Sequence, residues 1–270
     1  MDLTPLLIVE LLALGTATGF LAGLLGIGGG MLLVPFLTII ISQRGVEPGL
    51  AVKMAIATSM ATILFTSLSS VRAHQKAGAV RWDLVRGLAP GIVLGGLLAG
   101  AGIFALVKGR GLALFFAAFV GYSALQMLLN KKPKPSRQMP GGAGQTAVGG
   151  VIGLLSGLVG AGGAFVSVPF MTWCNVPMHQ AVGTAAALGF PIALANTAGY
   201  VYSGLQVQAG VPYTLGYLYL PALVLVALAS VTMAPLGART AHRSNVAALK
   251  RYFAVLLSGL AAYMLYRGLA

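Results

Sequence analysis

The residues of this chain that could do chemistry are few, and the most prominent are glycines. Two runs stand out inside long apolar stretches: Gly26 to Gly30, GIGGG, and Gly160 to Gly163, GAGG. Consecutive glycines are poor helix formers, and irregular backbone at membrane depth is tolerated only where protein buries it or it lines a cavity. A helix that restarts after such a break points unpaired N–H groups forward and carries about half a positive charge. Restarts at Met31 and Ala164 would together supply about one positive charge, which suits a small anion. The candidate substrate-binding residues are therefore Gly26, Gly28, Gly29, Gly30, Gly160, Gly162 and Gly163, with the hydroxyls of Thr58, Ser59 and Thr184 nearby. Those hydroxyls have a plainer alternative, which is to bond the backbone of their own helix.

Four further residues are candidates for a pathway: Lys53, His179, Asn196 and Glu10. Lys53 could attract an anion or merely snorkel to an interface. Asn196 could line a path or bridge two helices. Glu10 is the one acid inside an apolar run, the others being Asp2, Glu47 and Asp83, so no carboxylate relay is available. His74, His179, His242 and Cys174 have no metal-ligand spacing, and the ten methionines do not cluster, so no metal or other cofactor is expected. An enzyme would need a positioned acid, base or nucleophile that this inventory lacks. Nor do the glycines form a soluble phosphate loop, because no Lys-Ser/Thr pair follows them and position 31 is Met.

The elements that hold these residues follow from composition. The chain is 58% hydrophobic and 8% charged, where soluble proteins carry about 25% charged residues. Its apolar runs, roughly 5–41, 51–71, 87–107, 111–130, 145–175, 180–203, 212–236 and 246–268, are continuous, as membrane helices require, and not the short alternating strands of a barrel. The net charge of +13 sits in short loops, a topology signal and not a nucleic-acid one. The first residues, MDLTPLL, lack the basic start and cleavage pattern of a secretory signal and are expected to be retained.

An internal repeat organises the runs. GTATGFLAGLLGIGGGMLLVPFL from Gly15 aligns without a gap on GGVIGLLSGLVGAGGAFVSVPFM from Gly149, matching Gly19 with Gly153, Gly26 with Gly160 and Pro35-Phe36 with Pro169-Phe170. Further on, AIATSM from Ala55 matches AVGTAA from Ala181, so that Thr58 pairs with Thr184, Lys53 with His179 and Ser70 with Asn196. The expected organisation is a first repeat over 1–130, a linker over 131–145 and a second repeat over 146–270, all one membrane domain. Gly15, Gly19, Gly23 and their copies make a small-residue seam for close helix packing.

A single helix over 5–41 would be about 55 Å long, against a hydrocarbon core of about 30 Å, so the glycines must fold it back. If both glycine runs bend hairpins, each half makes an odd number of crossings and the halves are inverted. One face then receives Arg72, Lys76, Arg81, Arg86, Lys131, Lys132, Lys134, Arg137, Arg239, Arg243, Lys250 and Arg251, and the other only Arg44, Lys53, Lys108, Arg110 and Arg267. The positive-inside rule puts the linker in the cytoplasm and both termini in the periplasm. The expected fold is all-α and polytopic, with two inverted repeats, each a glycine-broken hairpin plus three spanning helices.

GFLAGLLGIGGGMLLVPFL, its copy from Gly153, the element at Ala55 to Ser59 and HQKAGAVRW at His74 to Trp82 together resemble the sulfite exporter TauE/SafE family, also called the toluenesulfonate uptake permeases. The resemblance covers essentially the whole chain. It implies a secondary transporter of the bacterial inner membrane for sulfite, thiosulfate or a small organosulfonate, bound at the midplane between the glycine hairpins, with the bilayer as its surroundings and no nucleic-acid partner. The family pattern falls on Gly26, Gly28, Gly29, Pro35, Thr58 and Ser59, and on Gly160, Gly162, Gly163, Pro169 and Thr184. Ala185 stands where the match to Ser59 would put a serine, so the two halves are chemically unequal there. A different small anion or a metal cation is the alternative substrate.

The topology is testable with reporters fused at the C-terminus: a periplasmic reporter should be active and a cytoplasmic one silent. The reverse pattern would rule out the inverted arrangement.

Overall fold

Leucine, alanine, valine and isoleucine dominate each apolar run, and in lipid such runs satisfy their backbone groups by becoming helices. The computed structural model describes residues 4–25, 29–129, 136–207, 210–241 and 246–269. The first half contains α1 (Pro5–Leu25), α2 (Gly30–Ser42), α3 (Pro48–Lys76), α4 (Trp82–Leu106) and α5 (Gly109–Leu128). The second contains α6 (Gly142–Val159), α7 (Ala164–Trp173), α8 (Met178–Leu205), α9 (Leu220–Ala241) and α10 (Val246–Leu269). Eight of these are long and apolar enough to cross a membrane, and α2 and α7 are the short ones. The protein is an all-α polytopic membrane protein.

Local signals explain several boundaries. Glu47 caps α3, accepting from the amides of Gly49 and Leu50 at 2.8 and 2.7 Å, with Pro48 at the first helical position. Within α4 the sequence LAGAGI, Leu98–Ile103, widens into a π-turn, and the Gly100 carbonyl accepts from Ser203 Oγ at 2.9 Å. Two boundaries differ from the expected ones. The α6 helix begins at Gly142, inside the stretch read as linker, because Pro140 is its last proline and nothing beyond blocks a helix. The run from residue 212 does not enter a helix until Leu220, since Thr214–Leu215 and Leu218–Tyr219 pair as a two-stranded turn around Gly216, which has φ +59°.

Glycine seams set the packing. Gly15 and Gly19 of α1 lie against Val226 and Ser230 of α9, while Gly149 and Gly153 of α6 lie against Leu88 and Ile92 of α4. Numbers rise together in both pairs, so each first helix runs parallel to the fourth helix of the other half. The long helices α3 and α8 cross in opposite directions, Gly183 meeting Ala79 and Gly189 meeting Ser67. Antiparallel contacts also join α5 to α10, where Gly121 faces Ala261 and Gly268 faces Leu114.

The feet of the two hairpins are tied. Arg44, just after α2, bonds Glu10 near the start of α1 at 2.6 Å. Arg267, near the end of α10, bonds Ser42 on the same side. At the other face the amides of Ser136 and Arg137, ahead of α6, both donate to the Trp173 carbonyl at the end of α7 at 3.2 Å. Asn175 Nδ2 adds a bond to the Arg137 carbonyl at 2.8 Å. The start of α1, the end of α2 and the end of α10 therefore share one face, and residues 136–137 and the end of α7 share the opposite one, here called the linker face.

Helix contact this close leaves no room for side chains. A methyl group on Gly153 would overlap the Ile92 carbonyl, whereas one on Gly150 would stand 3.7 Å from the Gly91 oxygen. Gly153→Ala should lower the stability of the purified protein by about 1–3 kcal/mol, and Gly150→Ala should leave its melting temperature unchanged in the same thermal assay.

Candidate functional site

The two glycine breaks meet at the centre of the molecule. Gly30, which opens α2, lies directly against the Gly160 carbonyl, with Ala161 Cα 3.1 Å and Ile63 Cδ1 3.2 Å from where its side chain would begin. Gly160 and Gly163 have φ of +72° and +75°, backbone that only glycine enters without strain. At Gly160 the chain leaves α6, closing on the Ser156 carbonyl through the Gly160 and Ala161 amides at 2.9 and 3.3 Å. At Gly163 it starts α7, where the Gly163 carbonyl accepts from Val166 and Ser167. Among the described residues the amides of Gly162 to Phe165 donate to no acceptor. Ser59, fully buried, joins the breaks, its hydroxyl 3.1 Å from the Gly160 carbonyl and 3.3 Å from that of Gly30.

A cavity of about 900 Å³ reaches this centre. It runs from the linker-face ends of α3 and α8, at His74 and His179, inward to Gly162 and Ala164. Along α3 it is lined by Thr66, Ser70 and His74, whose spacing of four puts them on one helix face, and by Ser67 beside them. Small apolar residues such as Ala22, Ala185, Ala186 and Pro235 complete the wall. Among the described lining residues none is Lys, Arg, Asp or Glu, and the two histidines are the titratable groups.

The structure gives the expected site residues different roles. Gly162 lines the cavity, and Gly160 and Gly163 shape the turn that exposes it. Gly26 and Gly28 lie outside the described residues. Gly29 and Gly30 do not line the cavity: Gly160 covers Gly30, and Gly29 faces Thr18 and Ala22 of α1. Two helix ends facing one ligand is the expectation; among the described residues, one restarted helix, α7, faces this cavity. Thr58 and Thr184 are fully buried and keep their equivalence in an unexpected way. The Thr184 hydroxyl accepts from the Arg81 amide ahead of α4, and the Thr58 hydroxyl from the Tyr219 amide ahead of α9, both at 3.0 Å. Each thus satisfies an amide at the entry to a helix of the other half, and neither lines the cavity.

The pathway candidates also divide. His179 stands at the cavity mouth. Lys53 lies at the far end of α3, its Nζ 5.7 Å from the Phe104 ring centre, 5.4 Å from that of Tyr217 and 3.2 Å from the Ala105 carbonyl. Burial pushes the Tyr217 phenol above its usual range, keeping it neutral there. Asn196 is buried between α8 and α6, donating to the Ile192 and Gly153 carbonyls at 2.8 and 3.3 Å. Glu10 is spent on Arg44 and is not part of the cavity wall. What sequence reasoning missed is the hydroxyl row Thr66, Ser67 and Ser70 with His74; the signal was the polar cluster TSLSS at residues 66–70, four residues ahead of a histidine.

Comparison with known proteins places the chain in a family. The chain matches the family described as "Sulfite exporter TauE/SafE" over residues 11–264. A Haemophilus influenzae protein named "Probable membrane transporter protein" is 35% identical over 91% of this chain and 93% of its own length. A relative of the same description from Methanocaldococcus jannaschii is 26% identical over 97% of this chain and 96% of its own. The Bacillus subtilis protein named "Probable membrane transporter protein YunE" is 29% identical over 73% and 79%, respectively. No solved structure matches the chain.

The roles of the threonines can be separated from that of a ligand site. Thr184→Val removes the acceptor for the Arg81 amide and should cost about 1 kcal/mol of stability, as loss of a helix cap does. Thr184→Ser should restore it, with substrate KM unchanged in both variants; a raised KM at unchanged stability would return Thr184 to the binding site.

Proposed function

The chain belongs to the sulfite exporter TauE/SafE family, and on that premise we propose that it is a secondary carrier for a small sulfur-containing anion in the bacterial inner membrane. The observation that carries this reading is the cavity that ends on the unpaired amides at Gly162 and Ala164 with no acidic residue among its described lining. A helix N-terminus carries about half a positive charge and aims its N–H groups at what it binds. The hydroxyls of Thr66, Ser67 and Ser70 and the imidazoles of His74 and His179 offer further donors along the way. Sulfite, thiosulfate and sulfonates present several acceptor oxygens to such a row. The cavity's volume of about 900 Å³ and its alanine-rich wall leave space for the carbon body of an organosulfonate.

Alternating access fits the same picture. The halves are read as inverted repeats, over 1–130 and 146–270, with the linker in the cytoplasm and both termini in the periplasm. The tied hairpin feet and the parallel exchange of α1 with α9 and α4 with α6 support that reading. The cavity then faces the cytoplasm, and a shift of one half against the other would expose the site on the other side. An inside-negative potential contributes about 2.3 kcal/mol per 100 mV toward outward movement of a monovalent anion, so export needs no carboxylate relay. A metal cation is the weaker alternative, since no group of three His, Cys, Asp or Glu side chains comes together among the described residues.

Flux in proteoliposomes tests the site. Gly162 tolerates a small side chain, its nearest neighbour being Ile63 Cγ2 at 3.6 Å, so Gly162→Leu should fold and yet fill the inner end of the cavity. Wild-type protein should move labelled sulfite, thiosulfate or a sulfonate, and the variant should lose at least nine-tenths of that flux. Undiminished flux through Gly162→Leu would reject the site.

A further inference from the structure

Resting on the carrier reading, we propose that the face opposite the linker holds the shut counterpart of the open cavity, with Lys53 as its anion-recruiting cation and Phe104, Tyr200 and Tyr217 as the gate that closes it. The internal repeat supplies the map. Residues that line the open cavity correspond to residues at the other end of the same two helices: His179 to Lys53, His74 to Tyr200, Ser70 to Asn196 and Ala185 to Ser59. Lys53 and His74 are 21 positions apart on α3, which puts them about 30 Å from one another.

Tyr200, Asn196 and Ser59 are all withdrawn into the protein, and Lys53 is half-buried above them. Tyr200 is fully buried, donates its hydroxyl to the Gly157 carbonyl and packs on Phe104 with ring centres 4.4 Å apart. Phe104 in turn meets Tyr217 edge-on at 5.5 Å. Asn196 and Ser59 bond backbone carbonyls of the glycine-rich segments. On the map of the repeat, Tyr200 and Lys53, both packed on Phe104, stand in place of His74 and His179, which line the open cavity at the other face.

Two features mark this packing as one state of a device rather than a permanent plug. Lys53 is held by two ring faces and a single carbonyl, partners that an oxyanion, with charge and several acceptor atoms, would outbid. Asn196 Oδ1 is buried without a hydrogen-bond partner, an acceptor that opening would return to water. The two mouths therefore differ chemically. An anion arriving at the Lys53 side meets a fixed cation, and one arriving at the linker side meets imidazoles and hydroxyls.

The test measures each face separately. In proteoliposomes of known orientation, Lys53→Met should raise the sulfonate KM at least tenfold from the Lys53 side and leave it unchanged from the linker side, and Lys53→Arg should restore it. In a Cys174→Ser background, Ala193→Cys, the counterpart of the cavity residue Ser67, should react slowly with a membrane-impermeant thiol reagent. Adding Tyr217→Ala should speed that reaction several-fold. Equal KM changes from both sides, no change in either, or labelling insensitive to Tyr217→Ala would overturn the gate. Absence of any sulfite, thiosulfate or sulfonate flux in wild-type protein would instead overturn the carrier reading, while the labelling would still decide the gate.

Discussion

Backbone lies where side chains would ordinarily be. Carbonyl groups of α4 occupy the space beside Gly149 and Gly153 of α6, those of α9 the space beside Gly15 and Gly19 of α1, and that of Gly160 the space beside Gly30. Lipid chains are as apolar as leucine, so helices in a membrane gain little by burying leucine against leucine and associate through contact and close fit. Glycine seams provide that fit. The short helices α2 and α7 begin in the interior, and the unsatisfied amides at Gly162 to Phe165 can exist at depth only because protein encloses them and a cavity reaches Gly162 and Ala164.

The cavity is also defined by the charges kept out of it. Of 17 basic and four acidic side chains, none of the described ones lines it. Glu10 is paired with Arg44 and Asp83 with Arg81, at 2.6 Å in each case. The second of these pairs is largely exposed and adds little to stability. On the carrier reading proposed above, anion affinity at this site is assembled from dipoles and hydroxyl donors, each modest, which keeps release as accessible as capture.

Much of this was legible in the sequence. Continuous apolar runs pointed to an all-helical membrane fold of two glycine-broken hairpins and three spanning helices in each half; in the structure the first arm of each hairpin, α1 and α6, is itself long enough to cross, and α7 restarts at Ala164 as expected. The equivalence of Thr58 and Thr184 was also visible, but their use was not. Whether a hydroxyl faces a ligand or a neighbouring amide depends on where the chain returns more than a hundred residues later, and no local pattern carries that. The hydroxyl row at Thr66 to Ser70 was missed for a related reason. Polar residues in a helix announce a cavity only once the opposite wall is known, and here that wall is alanine and glycine from α8 and α7. The turn at Thr214–Tyr219 was hidden because its leucines and tyrosines run without a charged residue into the helix that follows.

Parallel pairing of α1 with α9 has an effect on biogenesis. The seam at Gly15 and Gly19 finds its partner residues, Val226 and Ser230, some two hundred positions later in the chain. During synthesis α1 must therefore wait in the bilayer with a glycine-lined groove open to lipid or to a passing helix, and α4 likewise waits for α6. Contacts of such long range are closed late and slowly. Neither half can complete its packing alone, so a chain interrupted before α9 would leave its first helix unpartnered, a ready substrate for the proteases that clear unfinished membrane proteins.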